Sequence, residues 1–465
     1  MEEMGLSLAK RTGGGLQGTA PQVPDVAAAI TNTLCQSARA ADRRRLALPE
    51  LRAHTGPVEP RPGTLATRRG EIALPAFLPD ATRAVVRAVD SADLEACGVP
   101  AIMMNAFHLQ GHPGIRLVQS VGGAHAFAGW RRPVFADSGG FQVFSLIRQN
   151  PVFGTITRDG AIFRPSAGER KRILTPEKAI QAQLQIGADV VTCLDDCTHE
   201  SAPREEQEAS VERTIAWARR CRVEFDRLVA GQRADRGRPL LFAVIQGGND
   251  RDLRRACAEA LLEIGFDGYG LGGWPLDERH ELLAEIIEYT ATLVPEGTPL
   301  HALGVGKPEN VVACARFGYS TFDCALPTRD ARHGRLFAFQ ADSLDEVDLS
   351  RPDFYRPLYV ADAQHRTNPR PVSSLCDCLT CARYSRAYLH HLQDIRDPLY
   401  LRLATIHNLR FYTQLMEALR GAPEASPADR RTAVPASSPR AADPLIDLGG
   451  DASAPESGPS GEYRG

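Results

Sequence analysis

The sequence predicts an α/β chain: a (β/α)8 TIM barrel with a small metal-binding subdomain near the C-terminus. Three observations carry that expectation. Eight short apolar runs, all but the first ending in a polar residue or a glycine, are spread through the middle of the chain. Amphipathic stretches with helix signals separate most of them, as in folds built from alternating strands and helices. Beyond the last run, Cys376, Cys378 and Cys381 are bunched together. A doubly wound sheet would satisfy the alternation; the count of eight favours the barrel.

The runs, in order, are Ile72–Leu78, Ala101–Asn105, Val134–Asp137, Asp189–Asp195, Leu240–Gln246, Gly268–Gly272, Leu300–Gly304 and Thr321–Asp323. Between them, Ser91–Glu95 opens a turn of helix. Glu205–Leu228 places Val211, Ile215, Val223 and Leu228 along one helix, and Leu253–Ile264 and Glu281–Leu293 read the same way. Pro308–Phe317 is a short helix with Gly318 as its stop.

The chain has 465 residues, with 54 Lys and Arg against 57 Asp and Glu and a net charge of -3. Hydrophobic residues make up 43%. This composition excludes a collagen, a coiled-coil rod and a wholly disordered chain. No apolar run approaches the roughly 18–20 residues of a membrane helix. The acidic start, Met1-Glu2-Glu3, argues against a signal peptide. A net charge near zero means that any nucleic acid must be met by a local basic patch. The 11 cysteines are odd in number and mostly scattered, so a reducing cytoplasm is expected and not a disulfide framework.

In a barrel of this kind the chemistry sits at the C-terminal ends of the strands. Those ends are Asn105, Asp137, Asp195, Gln246, Gly272-Gly273, Gly304 and Asp323. Carboxylates, amides and exposed backbone would converge there, a set able to hold a flat polar heterocycle and to perform acid/base and nucleophilic steps. Each motif also has a plainer reading. Asp137-Ser138-Gly139-Gly140-Phe141-Gln142 could be a turn with a capping Asp. Leu194-Asp195-Asp196-Cys197 could be a solvated acidic loop, and Gln246-Gly247-Gly248 could satisfy loop backbone. Gly270-Leu271-Gly272-Gly273 lacks the lysine and spacing of a nucleotide cradle. After Asp323, Arg329, Arg332 and Arg335 form either a solvated basic loop or a phosphate clamp.

Cys376, Cys378 and Cys381, followed by His407 on the helical segment Leu403–Leu415, complete a tetrahedral structural zinc set. His390 and His391 compete for the fourth place on spacing alone. The expected organisation is a disordered extension over 1–60, with a possible short helix at 41–53, and a barrel over 61–345. A zinc-binding subdomain and closing helices over 346–421 follow, then a disordered tail over 422–465.

These motifs resemble the tRNA-guanine transglycosylases. The resemblance rests on Asp137-Ser-Gly-Gly-Phe-Gln, Ile245-Gln-Gly-Gly, Leu303-Gly-Val-Gly-Lys-Pro, Phe322-Asp-Cys-Ala-Leu-Pro-Thr-Arg, the cysteine cluster with Ala382-Arg-Tyr-Ser-Arg-Ala-Tyr-Leu-His-His, and Thr405-Ile-His-Asn-Leu-Arg-Phe-Tyr. It covers roughly residues 62–420 and agrees with a barrel carrying a zinc subdomain. The family replaces guanine at the anticodon wobble position of tRNA, in queuosine modification, with a 7-deazaguanine such as 7-aminomethyl-7-deazaguanine (preQ1) or queuine. The resemblance implies that Asp323 is the nucleophile and Asp137 the general acid/base. It implies that Asp195, Gln246, Gly273, Ser138, Phe141 and Leu303 hold the base, with Phe141 and Leu303 sandwiching the ring. It also implies that Lys307, Arg329 and Arg332 hold the RNA backbone. The expected partners are a tRNA with a G-U-N anticodon, the deazaguanine base and, as is common in the family, a second copy of the chain in a homodimer. One Zn2+ per chain is the expected cofactor.

The segment Trp274-Pro275-Leu276-Asp277-Glu278 departs from the family's Leu-Ala-Val-Gly-Glu or Leu-Ser-Gly-Gly-Glu, where the substituent of the incoming base is sensed. Two other readings follow from family membership alone: a catalytically silent tRNA-binding subunit, and a paralogue acting on another polynucleotide.

Overall fold

The computed structural model describes residues 63–164, 170–199, 201–231 and 237–421. The expected extensions over 1–60 and 422–465, including the possible helix at 41–53, lie outside the described residues. The centre is an eight-stranded parallel sheet. Its strands are β1 (Ala76–Pro79), β2 (Ile102–Asn105), β3 (Val134–Asp137), β4 (Val190–Thr192), β5 (Leu240–Ile245), β6 (Gly268–Leu271), β7 (Leu300–Ala302) and β8 (Thr321–Cys324). Neighbours pair in chain order from β2 to β8, and β8 returns to β1 with Phe322 opposite Phe77. A single bridge between Asp80 and Met103, with the Ala81 N–H donating to the Met103 carbonyl at 2.7 Å, closes β1 towards β2. The expected barrel is therefore present, nearly closed, with one strand for each apolar run.

Strand periodicity explains what lies inside. Alternate residues of a strand face one side. Leu78, Met103, Phe135, Val190 and Phe242 share one buried cluster. The same alternation, carried to the C-terminal ends, brings Asp80, Asn105, Asp137, Gln246 and Asp323 onto the inner face of the barrel mouth. The barrel floor is covered by an antiparallel hairpin, Thr64–Thr67 with Gly70–Ala73, whose Leu65 and Ile72 join that cluster. The run expected as one strand over Ile72–Leu78 is thus split. Pro75 has no N–H to donate to a ladder, so the hairpin ends before it and β1 begins after it.

The helix expected at Glu205–Leu228 spans Arg204–Ala230, and those at Leu253–Ile264 and Pro308–Phe317 span Arg251–Ile264 and Pro308–Arg316. The one expected to open at Glu281 begins at Ala284. Asp277 is the reason: its Oδ1 accepts the N–H groups of Arg279 and Glu281 at 2.9 and 2.8 Å, bending the chain into a loop first. A three-stranded sheet, Gly154–Thr157, Gly160–Phe163 and Arg172–Leu174, follows β3 and was not foreseen. Past the barrel, Arg335–Phe339 pairs with Tyr355–Tyr359. The helix Pro398–Gly421 then packs across both regions: Phe411 stacks on Phe339 at 4.4 Å, and Tyr412 meets Phe77 of β1 at 4.4 Å.

Candidate active site and metal centre

The mouth gathers its polar groups because each strand ends there. Asn105 donates from Nδ2 to Asp137 Oδ2 at 2.7 Å, across the register that sets these residues side by side. The Gly139 N–H donates to Asp137 Oδ1 at 3.3 Å. Gly139 has φ +82, and a Cβ there would lie 2.5 Å from Phe107, so only glycine turns the chain so tightly behind the carboxylate. Gln246, fully buried, donates from Nε2 to Asp195 Oδ2 at 2.6 Å. A Cβ on Gly272 would meet the Gln246 amide at 2.6 Å, so that glycine leaves room for it. Asp196, expected beside Asp195 as an acidic pair, turns away to Arg213.

Electrostatics tie the carboxylates into one group. Burial raises Asp137 to about 6, and the charge of Asp323 adds to the rise against the Gly139 hydrogen bond. Burial likewise raises Asp195 to about 7, with the charges of Asp137 and Asp196 adding and the Gln246 bond opposing. Both acids keep a partly open face towards the mouth while protein crowds the rest. Such shifts hold a carboxyl near the pH at which it both gives and takes protons.

Asp323 sits at the end of β8. Its Oδ1 accepts the Gly304 N–H at 3.1 Å and faces His301 Nε2 at 3.1 Å. Ser138 is buried, and its Oγ accepts the Gly140 N–H at 3.2 Å. Phe141 lies edge-on to Trp274 at 5.6 Å, and Trp274 lies 5.4 Å from the His199 ring. Leu303 packs where a Cβ of Gly270 would stand, at 2.7 Å. Gly273 has φ +87 at the end of the β6 turn. Lys307 precedes Pro308 at the start of its helix, partly exposed, and Arg329 and Arg332 lie on the helix Leu326–Arg332 after β8. Arg332 donates to Thr328 Oγ1 at 3.2 Å. Arg335, grouped with them as a phosphate clamp, instead reaches Asp330 at 3.6 Å and lies over the Phe337 ring at 5.6 Å.

Two groups at the mouth were missed. Asp80 follows β1; burial raises its pKa, the Thr82 hydroxyl opposes, and the charge of Asp323 adds to the rise, which places it near that carboxylate. His301 lies inside β7. Its only sequence signal is a lone polar residue in an apolar run.

The Cys/His cluster is separate. One ligand atom from each of Cys376, Cys378, Cys381 and His407 lies within 4.8 Å of all the others. Tetrahedral zinc with bonds of about 2.3 Å needs ligand atoms about 3.8 Å apart, so the donor set fits. His407 Nε2 donates to the Phe337 carbonyl at 2.7 Å, which turns Nδ1 towards the sulfurs, 3.2 Å from Cys381 Sγ. His390 and His391 lie on the helix Arg386–Asp394, outside the set. Asp377 pairs with Arg410 at 2.6 Å and ties the cysteine loop to the helix that supplies His407. The cluster could hold a metal ion. No helix among the described residues is long and apolar enough to cross a membrane.

The family model described as "Queuine tRNA-ribosyltransferase" matches residues 58–426. The queuine tRNA-ribosyltransferase of Shewanella halifaxensis (strain HAW-EB4) is 40% identical over 371 residues, covering 79% of this chain and 91% of that protein. That of Shewanella sediminis (strain HAW-EB3) matches with the same identity and coverage. With this barrel, this row of strand-end carboxylates and this Cys/His cluster, the chain belongs to the queuine tRNA-ribosyltransferase family.

Proposed function

We propose that the chain is a pentosyltransferase of tRNA. It exchanges guanine at the wobble position of G-U-N anticodons for a 7-deazaguanine, through a covalent ribosyl intermediate on Asp323. The observation that carries the reading is the electrostatic grouping of Asp137, Asp195 and Asp323 at one barrel mouth.

The target base leaves its stack to enter the mouth. Asp195 accepts from two N–H groups of its amino edge, as a carboxylate can. Gln246 and the Gly273 N–H hold its carbonyl oxygen, Ser138 lines the base site, and Phe141 and Leu303 cover its faces. Asp323 attacks C1′ of the ribose while the bond to N9 breaks, and Asp137 gives its proton to the departing base. The incoming base then gives its N9 proton to Asp137 and attacks C1′, releasing the Asp323 carboxylate. Two inversions restore the β anomer. Water must be kept from C1′ throughout, since hydrolysis would leave an abasic site. Lys307, Arg329 and Arg332 hold backbone phosphates. Cys376, Cys378, Cys381 and His407 hold one zinc ion, which shapes the C-terminal region and takes no part in the chemistry. This assignment places the enzyme with its tRNA in the cytoplasm.

Labelled guanine is expected to enter a G-U-N tRNA and not a control whose wobble base is changed. No incorporation by folded, metal-loaded protein would overturn the reading. Competition between 7-aminomethyl-7-deazaguanine and queuine names the incoming base. Asp323→Asn is expected to fold and to lose at least about 10³-fold in exchange; retained exchange refutes the nucleophile. Cys378→Ala is expected to lose its zinc and much of its thermal stability, and a metal-free wild type with an unchanged melting curve would contradict the zinc assignment.

A further inference from the structure

We infer that His301 is the positioning residue of the nucleophile and selects which oxygen of Asp323 attacks; this rests on the reading of Asp323 above. His301 stands in β7 opposite Thr321 of β8 and is 4% exposed. Both ring nitrogens face polar groups of β8: Nδ1 lies 2.9 Å from Thr321 Oγ1, and Nε2 lies 3.1 Å from Asp323 Oδ1. An ionised carboxylate only accepts hydrogen bonds, so Nε2 carries the proton and Nδ1 accepts the Thr321 hydroxyl.

The Gly304 N–H reaches the same Oδ1 at 3.1 Å. Among the described residues, the hydrogen bonds to this carboxylate fall on Oδ1. The other oxygen, Oδ2, is left with its lone pairs for C1′. When Oδ2 forms its bond to C1′ and the bond to the base breaks, Oδ1 becomes the carbonyl oxygen of the ester and keeps both donors. When the incoming base attacks C1′, the bond to Oδ2 breaks and its electron pair returns to the carboxylate, where the same two donors receive the charge. Donors fixed in advance on a developing charge cost no reorganisation during the reaction.

A buried histidine can be merely a satisfied core residue. That role would change stability without singling out the chemical step. The experiment uses the full-length protein and three variants: His301→Ala, His301→Gln, whose amide can donate to the same oxygen, and Asp323→Asn. Melting temperature and zinc content report folding. Guanine exchange gives kcat and KM for tRNA, and a denaturing gel run after quenching without incoming base reports the covalent RNA–protein adduct.

His301→Ala is expected to lower kcat about 100-fold, as misplacement of a reacting group does, with KM for tRNA within about threefold and the adduct depleted. His301→Gln is expected to recover at least about tenfold of that loss. A folded His301→Ala with parental kcat and adduct overturns the proposal. So does a folded His301→Gln as impaired as His301→Ala, which also decides the matter if the alanine variant does not fold. Adduct and exchange retained by Asp323→Asn refute the nucleophile itself, whatever the His301 variants do.

Discussion

Asp189 and Asp195 stand at opposite ends of β4, and their surroundings push them in opposite directions. At the floor, burial alone would raise Asp189, but hydrogen bonds from His125 and Arg68 outweigh it and hold the carboxyl below its ordinary value. Arg68 Nε lies 2.6 Å from its Oδ1, and the Val134 N–H donates to Oδ2 at 2.8 Å. At the mouth, burial raises Asp195 to about 7, neighbouring acids add to the rise, and the Gln246 amide and a backbone hydrogen bond oppose it without cancelling it. The same strand is therefore flanked by one carboxylate whose charge is matched within the fold and one whose charge is left for a ligand to match. Stability is invested at the N-terminal face of the barrel and chemistry at the C-terminal face.

Substitutions at the two ends sharpen this contrast. The largest effect is expected at the mouth. Asp137→Asn should fold normally and lose about 10³-fold in exchange, since an amide neither gives nor takes the proton; exchange within about tenfold of wild type would remove Asp137 from acid/base work. The next belongs to the floor. Asp189→Asn should cost about 3 kcal/mol of unfolding free energy, because it strands the buried partners of a fully buried carboxylate. Its signature is pH dependence. The folded value lies below the unfolded 3.8, so the contribution is present above pH 3.8 and fades as pH falls through the folded value. Chemical unfolding at pH 7 and pH 3 measures it, and an equal loss at both would break the assignment.

The smallest effect has the opposite sign. Asp195→Asn should raise stability by on the order of 1 kcal/mol at pH 8, a figure kept small because one face of the carboxyl is open to solvent. The folded value of about 7 lies above the unfolded 3.8, so the wild type bears its full cost above pH 7 and none below pH 3.8. The gain should shrink between those limits. A destabilised Asp195→Asn at pH 8 would end the comparison between the two ends.

The mouth was readable because a strand that is apolar along its length and polar at its last residue announces where it stops. Asn105, Asp137, Gln246 and Asp323 follow that rule. Asp80 escaped because Pro79 intervenes beyond the apolar run. His301 escaped because one histidine inside an apolar strand has no periodic signature; its meaning comes from β8, which pairs with it only in three dimensions. The sheet of Gly154–Thr157, Gly160–Phe163 and Arg172–Leu174 escaped because strands of three or four residues are too short to show a period-two pattern. Arg335 looked like a neighbour of Arg329 and Arg332 in sequence, yet it serves Asp330 and the Phe337 ring. On spacing alone His390 and His391 compete with His407 for the fourth metal position, since spacing does not say which ring turns inward; the motif around Thr405-Ile-His singled out His407, and the structure groups that residue with the three cysteines.

The helix Pro398–Gly421 has a practical consequence. It carries His407, and the next residue, Asn408, donates to the carbonyls of Pro327 and Arg335 at 3.0 Å each. The first lies in the opening turn of the helix Leu326–Arg332 that follows β8, and the second lies just beyond its end. Tyr412 and Thr413 bind the Gly306 and Cys97 carbonyls of the barrel at 2.6 and 2.7 Å. A chelator that strips the four-ligand centre would therefore loosen the scaffold behind Asp323 without touching a reacting atom. Inactivation by chelation would imitate that of a metal-dependent catalyst, and the imitation would be exposed by its time course: loss of activity tracking the loosening of the helix, and not the departure of the metal.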